Sequence, residues 1–266
     1  MKKIAVLGCG ALSQIFCANA PRILGDYYFI TSVCAKNHDH AVELAQRVGG
    51  QAAYTVDEML ALQPDIVVEF AGIQAVEENA QKILEAGCDL IIASVGALDD
   101  EKFRDEIIHV ARREGRHIWV TSGAIGGLDI METFRAIGNA VVRIESTKPP
   151  VSYANTPYME GKELSKTEEQ VVFEGDVHEA IKGFPRNVNV TVATALASGA
   201  HDLRVKLISK PGATESSHVI TLKNDLMHAE MSFSAKPDPE NPKSSLSSAW
   251  SVIGLLKNMA SPLSFF

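Results

Sequence analysis

Residues 3–13 read KIAVLGCGALS, and the fold turns on how that run is understood. Ile4–Leu7 is apolar without alternation, which suits a strand buried on both faces of a parallel sheet. Two glycines follow, and then ALSQIFCANA (11–20) carries apolar residues at helical spacing. Strand, glycine corner and helix in that order form the frame of the G-x-G-x-x-G pattern. Gly8 and Gly10 take its first two places and Ser13 its third. The first glycine permits the tight turn, the second lets the backbone approach a pyrophosphate, and the third lets the helix pack closely. Phosphate then sits on the free N–H groups at the helix start, here those of Ala11 and Leu12. Ser13 substitutes a small residue at the packing position only, so the turn reads as a nucleotide cradle.

The chain beyond it keeps the same cadence. YFITSVCA (28–35), AYT (53–55), DIVVEFAG (65–72), DLIIASVGAL (89–98) and HIWVTSG (117–123) read as further strands. The helical patterns DHAVELAQRVGG (39–50), VDEMLALQP (56–64), AVEENAQKILEAG (75–87) and DDEKFRDEIIHVARREG (99–115) separate them. Alternation of this kind predicts an α/β, Rossmann-type doubly wound parallel sheet over residues 1–123. After it the pattern changes. A helix at 128–139 leads to VVRIESTKPP (141–150), and a polar stretch without clear period runs to Thr167. QVVFEG (170–175), a short helix, and FPRNVNVTVATALASG (184–199), a loop entering a small-residue helix, come next. LRVKLIS, SHVITLK and HAEMSFSAK then follow in close succession. This predicts a second, α+β domain over 124–240 with a mixed or antiparallel sheet. Residues 241–266 hold a last helix, expected to return to the first domain.

Composition narrows the function. Hydrophobic residues are 46% and charged residues 22% of the chain, as in an ordinary globular protein. A formal net charge of −8 argues against a nucleic-acid partner. MKKIAVLGC resembles a lipoprotein signal, but its apolar run is too short, and no stretch approaches a membrane span. A cytoplasmic, membrane-free protein is expected. Cys9, Cys17, Cys34 and Cys88 match no metal spacing and read as reduced core thiols, so no metal is expected.

At the end of the second strand an NAD-binding fold places a carboxylate on the ribose hydroxyls. Here Ala35, Lys36 and Asn37 stand instead. Lys36 is either a contact for a 2′-phosphate or a solvated loop charge, and the cofactor is accordingly NAD or NADP.

The blocks VVEFAG (67–72), SVGAL (94–98), SGAIGGLD (122–129), KPP (148–150), VFEG (172–175), FPRNVNV (184–190), SSHVITL (216–222) and NPKSS (241–245) resemble the L-aspartate dehydrogenase family, in order and over nearly the whole chain. The resemblance implies NAD(P)-dependent oxidation of L-aspartate to iminoaspartate, then oxaloacetate and ammonia, feeding NAD biosynthesis in some organisms. It places the family's cofactor-contacting alanine and asparagine on Ala124 and Asn189, and its proposed catalytic histidine on His218. Ser13, a serine in NPKSS where the family commonly has threonine, and the missing acid after the second strand depart from the family pattern.

The chemistry agrees. Oxidation at Cα needs a base for the ammonium proton, and histidine suits that task. His38, His40, His117 and His178 read as solvated, His109 lies on an amphipathic helix, and His201 and His228 sit at turns or strand starts. His218 opens a strand after a polar loop and is the candidate base. A dicarboxylate substrate needs cations or clustered donors. Lys243 fits, with Ser244 and Ser245 either donating hydroxyls or capping the last helix. Lys148 is a second, weaker candidate for the same role, since a lysine beside prolines at a strand end often simply faces water. Asp129 reads first as a helix cap and second as a catalytic residue, and Asn187 as another cap. A homodimer through the second sheet is expected. The rival readings are a homoserine dehydrogenase-like or other amino-acid or imine oxidoreductase, and a non-catalytic NAD(P)-sensing module.

Overall fold

The computed structural model describes residues 1–185, 188–236 and 246–265. The chain divides into two compact units, Met1–Thr121 with Ser248–Phe265, and Ser122–Ser247.

In the first unit strands β1 (Lys2–Leu7), β2 (Tyr28–Cys34), β3 (Gln51–Ala53), β4 (Ile66–Glu69), β5 (Asp89–Ile92) and β6 (Ile118–Val120) alternate with helices α1 (Ala11–Leu24), α2 (His38–Val48), α3 (Val56–Ala61), α4 (Ile73–Glu85) and α5 (Glu101–Glu114). They pair in the order β3-β2-β1-β4-β5-β6, parallel throughout. Chain order reverses between β1 and β4, the place where open α/β sheets receive ligands at the carboxyl ends of their strands. Ile4, Ala5 and Val6 of β1 and Ile66, Val67 and Val68 of β4 are fully buried, as uninterrupted apolar runs predict.

Two boundaries differ from expectation for local reasons. β3 ends at Ala53, because the Thr55 hydroxyl accepts the Glu58 N–H and caps α3. DLIIASVGAL is not one strand: β5 stops at Ile92, and Val95–Asp99 forms a 3-10 turn. The C-terminal helix α9 (Ser247–Ala260) buries Ala249, Val252, Ile253 and Leu256 in the cluster formed by Phe16, Cys17, Ala20 and Leu24 of α1. The Tyr28 hydroxyl also donates to the Leu256 carbonyl at 3.1 Å. Cys17, Cys34 and Cys88 are buried thiols, and desolvation pushes Cys17 up to about 12. Cys9 departs from the core reading, being partly exposed within the glycine turn.

The second unit begins with α6 (Leu128–Ile137) and β7 (Val141–Lys148) and continues through β8 (Gln170–Asp176), α7 (Val177–Gly183), α8 (Asn189–Ser198), β9 (Arg204–Ser209), β10 (Ser216–Lys223) and β11 (His228–Ala235). Its sheet runs β11-β10-β7-β9-β8, with β7 and β9 parallel and the other pairs antiparallel. Side chains alternate across the strands. Val142, Ile144 and Ser146 of β7, and His218, Ile220 and Leu222 of β10, form a buried face. Helix α8 packs on both α6 and β7. Asp129 is not the cap of α6. Gly127, at φ +69°, precedes the helix, and Asp129 falls in its first turn.

Candidate functional site

The first unit builds a cradle at the carboxyl edge of its sheet. Gly8 has φ +115° and donates its N–H to the Cys34 carbonyl at 2.8 Å. A Cβ there would lie 2.9 Å from the Phe70 carbonyl carbon and 3.0 Å from the Ala71 nitrogen, so the turn closes against the loop after β4 only with glycine. Gly10 is the N-cap of α1 in extended conformation, and a Cβ on it would meet nothing within 4 Å. No side chain caps α1 and no acid occupies its first turn. The N–H groups of Ala11, Leu12 and Ser13 therefore carry the positive end of a 14-residue helix without an internal anion. Open space at Gly10 and a bare helix start fit a dinucleotide pyrophosphate. Ser13 is fully buried and its Oγ makes no hydrogen bond, in keeping with a position governed by packing.

Lys36 is exposed beyond the end of β2, and the neighbouring Asn37 caps α2 through the His40 N–H. Gly8 meets the end of β2, so the turn and Lys36 lie on one edge. His38 is not the solvated histidine expected from sequence. Its ring stacks on Tyr54 with centroids 3.4 Å apart and 16° between planes, and its Nδ1 is buried.

Glu69 is a buried acid at the edge of this cradle that reading the sequence missed. At the end of β4 it is 1% exposed, and its carboxylate accepts the Gly72 N–H at 2.7 Å, the Ser94 N–H at 3.0 Å and the Ser94 hydroxyl at 2.9 Å. Burial pushes its carboxyl above the ordinary range, and these hydrogen bonds pull it back. One side chain thus ties the loops after β4 and β5, beside the strand that ends in the glycine turn. An acid closing an otherwise apolar strand, IVVE, is the signal that marks it. Glu69→Ala leaves those donors without an acceptor, and urea denaturation is expected to show a loss of about 2 kcal/mol.

In the second unit His218 is 2% exposed on β10. Ser146 lies directly opposite on β7, with its Oγ 2.8 Å from the His218 Nδ1. The Tyr153 hydroxyl donates to the Ser146 carbonyl at 3.0 Å and fixes the strand beneath that pair. Burial first, and the positive charge of Lys148 second, hold the His218 ring down to about 3, so it is neutral near pH 7. Lys148 does not simply face water as expected. It is partly buried, and desolvation brings its ammonium down to about 8.

The glycine loop of SGAIGGLD reaches the same strands. A Cβ on Gly126 would stand 3.1 Å from the Phe233 ring, and one on Gly127 would strike the Met231 sulfur. Phe233 is the β11 partner of His218, so the loop holding Ala124 lies by the strand pair that carries the histidine. Asn189 is the first residue of α8, with its side chain exposed. Lys243, Ser244, Ser245 and Asn187 lie outside the described residues.

Comparison with known proteins gives two consecutive matches. Residues 129–259 match a family model described as aspartate dehydrogenase, C-terminal, and residues 8–121 one described as homoserine dehydrogenase, NAD binding domain. The chain is 37% identical to an L-aspartate dehydrogenase of Methanospirillum hungatei over 99% of its own length and 98% of the relative's. Against that of Methanocaldococcus jannaschii it is 33% identical with the same coverage. The crystal structure of aspartate dehydrogenase from Thermotoga maritima superposes with a TM-score of 0.78 at 25% identity, covering all of both chains. A homoserine dehydrogenase from Thiobacillus denitrificans shares the fold, with a TM-score of 0.62 at 13% identity over 97% of this chain and 72% of that one.

Proposed function

This chain belongs to the aspartate dehydrogenase family, and on that premise we propose that it oxidises L-aspartate to iminoaspartate, which water converts to oxaloacetate and ammonia. It is an NAD-dependent amino-acid dehydrogenase. The observation that carries the finer reading is the buried His218–Ser146 pair, a neutral imidazole held at its Nδ1.

With the Nδ1 proton donated to Ser146 Oγ, Nε2 keeps its lone pair and takes the proton of the substrate ammonium. Bound NAD supplies the acceptor for the hydride leaving Cα. Gly8, Gly10, Ala11 and Leu12 would hold the pyrophosphate, and the family resemblance gives Ala124 and Asn189 cofactor contacts. Lys243, Ser244 and Ser245 serve the substrate carboxylates. The net change is L-aspartate, oxidised cofactor and water to oxaloacetate, ammonium, reduced cofactor and a proton.

Two further points belong to this reading. We take the imine as a feed for pyridine nucleotide biosynthesis in the cytoplasm, and the enzyme as a homodimer. Support for the dimer comes from the sheet face bearing Arg143, Glu145, Val219 and Thr221, opposite the buried one and partly exposed.

The test is reduced-cofactor absorbance with L-aspartate and NAD⁺ or NADP⁺, and with oxaloacetate plus ammonia in reverse. Turnover in both directions supports the proposal. Cofactor binding without turnover of any amino acid overturns it in favour of a sensing module.

Lys36 gives this proposal its cofactor arm. Ala35, Lys36 and Asn37, directly after β2, include no carboxylate to repel a 2′-phosphate, and a lysine there favours one. NADP⁺ is therefore accepted beside NAD⁺, and Lys36→Asp is expected to lower the NADP⁺ over NAD⁺ ratio of kcat/KM about tenfold or more, through a charge contact of roughly 1.5–3 kcal/mol. An unchanged ratio would return Lys36 to a solvated loop charge.

A further inference from the structure

The register of the second sheet sets another ionisable group beside His218. Ser146 is the directly opposed residue, and Lys148 follows two positions later on the same strand, hence on the same face. A diagonal neighbour of this kind lies about 7–8 Å away across an antiparallel pair, within reach of a long side chain. Pro149 restricts the backbone of Lys148 to extended conformations and so keeps its side chain on that face to the strand end. The described residues that the sheet register and hydrogen bonds set beside the pair include three uncharged ones. Phe233 faces His218 from β11, Ser209 pairs with Lys148 from β9 with a buried, unbonded hydroxyl, and Tyr153 anchors the Ser146 carbonyl.

Resting on the reading of His218 as the base for an α-ammonium group, we propose that Lys148 contacts the substrate, its ammonium receiving a carboxylate of the dicarboxylic amino acid while His218 meets the amino nitrogen. In L-aspartate the amine and each carboxylate are separated by a short run of single bonds. That span suits a diagonal pair on a sheet better than two groups in direct contact. The placement also has an electrostatic consequence. The charge of Lys148 presses on the imidazole and weakens its hold on a proton. A carboxylate arriving at Lys148 offsets that field, so His218 becomes a better proton acceptor as the ammonium reaches it. Substrate and base are then matched by one lysine.

The experiment compares wild type with Lys148→Met and Lys148→Arg as whole proteins. Calorimetric titration of succinate into the NADH-loaded protein reads carboxylate binding without catalysis. Steady-state kinetics with L-aspartate and L-asparagine read KM against kcat, and NADH fluorescence reads cofactor affinity. Lys148→Met is expected to weaken succinate and raise the KM for L-aspartate about a hundredfold, at unchanged NADH affinity, with partial recovery in Lys148→Arg. Collapse of the preference for aspartate over asparagine assigns the side-chain carboxylate to Lys148. Equal losses on both amino acids assign the α-carboxylate. Unchanged succinate affinity in Lys148→Met overturns the proposal, as does a loss of NADH affinity and folding stability in both variants, which would mark a structural role. Should wild type fail to oxidise L-aspartate while still binding succinate through Lys148, the functional reading falls and the lysine's role stands.

Discussion

His218→Ala is expected to lower kcat for L-aspartate about a thousandfold, within the range that loss of a positioned general base produces. NADH affinity should stay within a few-fold, because the glycine turn belongs to the other unit. The argument rests on the ring's surroundings. His218 sits on the buried face of β10 with its Nδ1 bonded to Ser146, so the substitution removes one proton acceptor and leaves the strand pairing intact. His218→Gln separates chemistry from packing, since it fills most of the same space without a titrating nitrogen. Near-normal turnover in either variant would remove His218 from the reaction.

The same residue predicts a pH dependence of stability. Its ordinary value of 6.5 is held down to about 3 in the folded chain, by burial and then by Lys148. Folding therefore favours the neutral ring. That contribution is complete above pH 6.5 and drains away as pH falls towards 3, where the unfolded chain accepts a proton the native one refuses. Urea midpoints measured over this interval should fall more steeply for wild type than for His218→Gln. Parallel curves would mean that the ring is protonated normally in the folded protein.

The legibility of each feature in the sequence has a physical cause. Strands buried on both faces leave unbroken apolar runs, so β1, β4 and β5 were readable, and the glycines between them marked the cradle edge. His218 was readable as a lone imidazole opening a strand, and its role came with the family resemblance. Lys148 misled because the two following prolines mark a strand end, where lysines commonly reach water. Parity along Val142, Ile144, Ser146 and Lys148 is the stronger signal, and it turns the lysine to the histidine's side. Glu69 was hidden for a different reason. Its partners come from the loop after another strand, and pairing between residues 69 and 94 has no local trace in the sequence. Asp129 looked like a cap because it precedes an apolar period, while Gly127 ends the loop in a left-handed conformation that allows the helix to begin earlier.

Gly8→Ala and Gly10→Ala should fail in different ways, and the contrast tests the cradle itself. At Gly8 the backbone has φ +115°, and a methyl group would stand 2.9 Å from the Phe70 carbonyl carbon. Backbone strain of this kind costs about 1–3 kcal/mol, and relieving it displaces the loop that Glu69 ties down. Gly8→Ala is therefore expected to lower the unfolding midpoint and to weaken NADH binding about a hundredfold, the equivalent of roughly 3 kcal/mol. At Gly10 the conformation is extended with φ −73° and ψ −173°, which alanine adopts without strain, and its methyl meets nothing within 4 Å. Gly10→Ala should keep the wild-type midpoint and still lose NADH affinity, because the methyl fills the space a pyrophosphate must enter above Ala11 and Leu12. Thermal unfolding and NADH fluorescence on the two variants decide the matter. If Gly10→Ala binds NADH as wild type does, the dinucleotide does not cross this turn. If Gly8→Ala alone loses both properties, the glycine corner serves only the packing of β1 against the loop after β4.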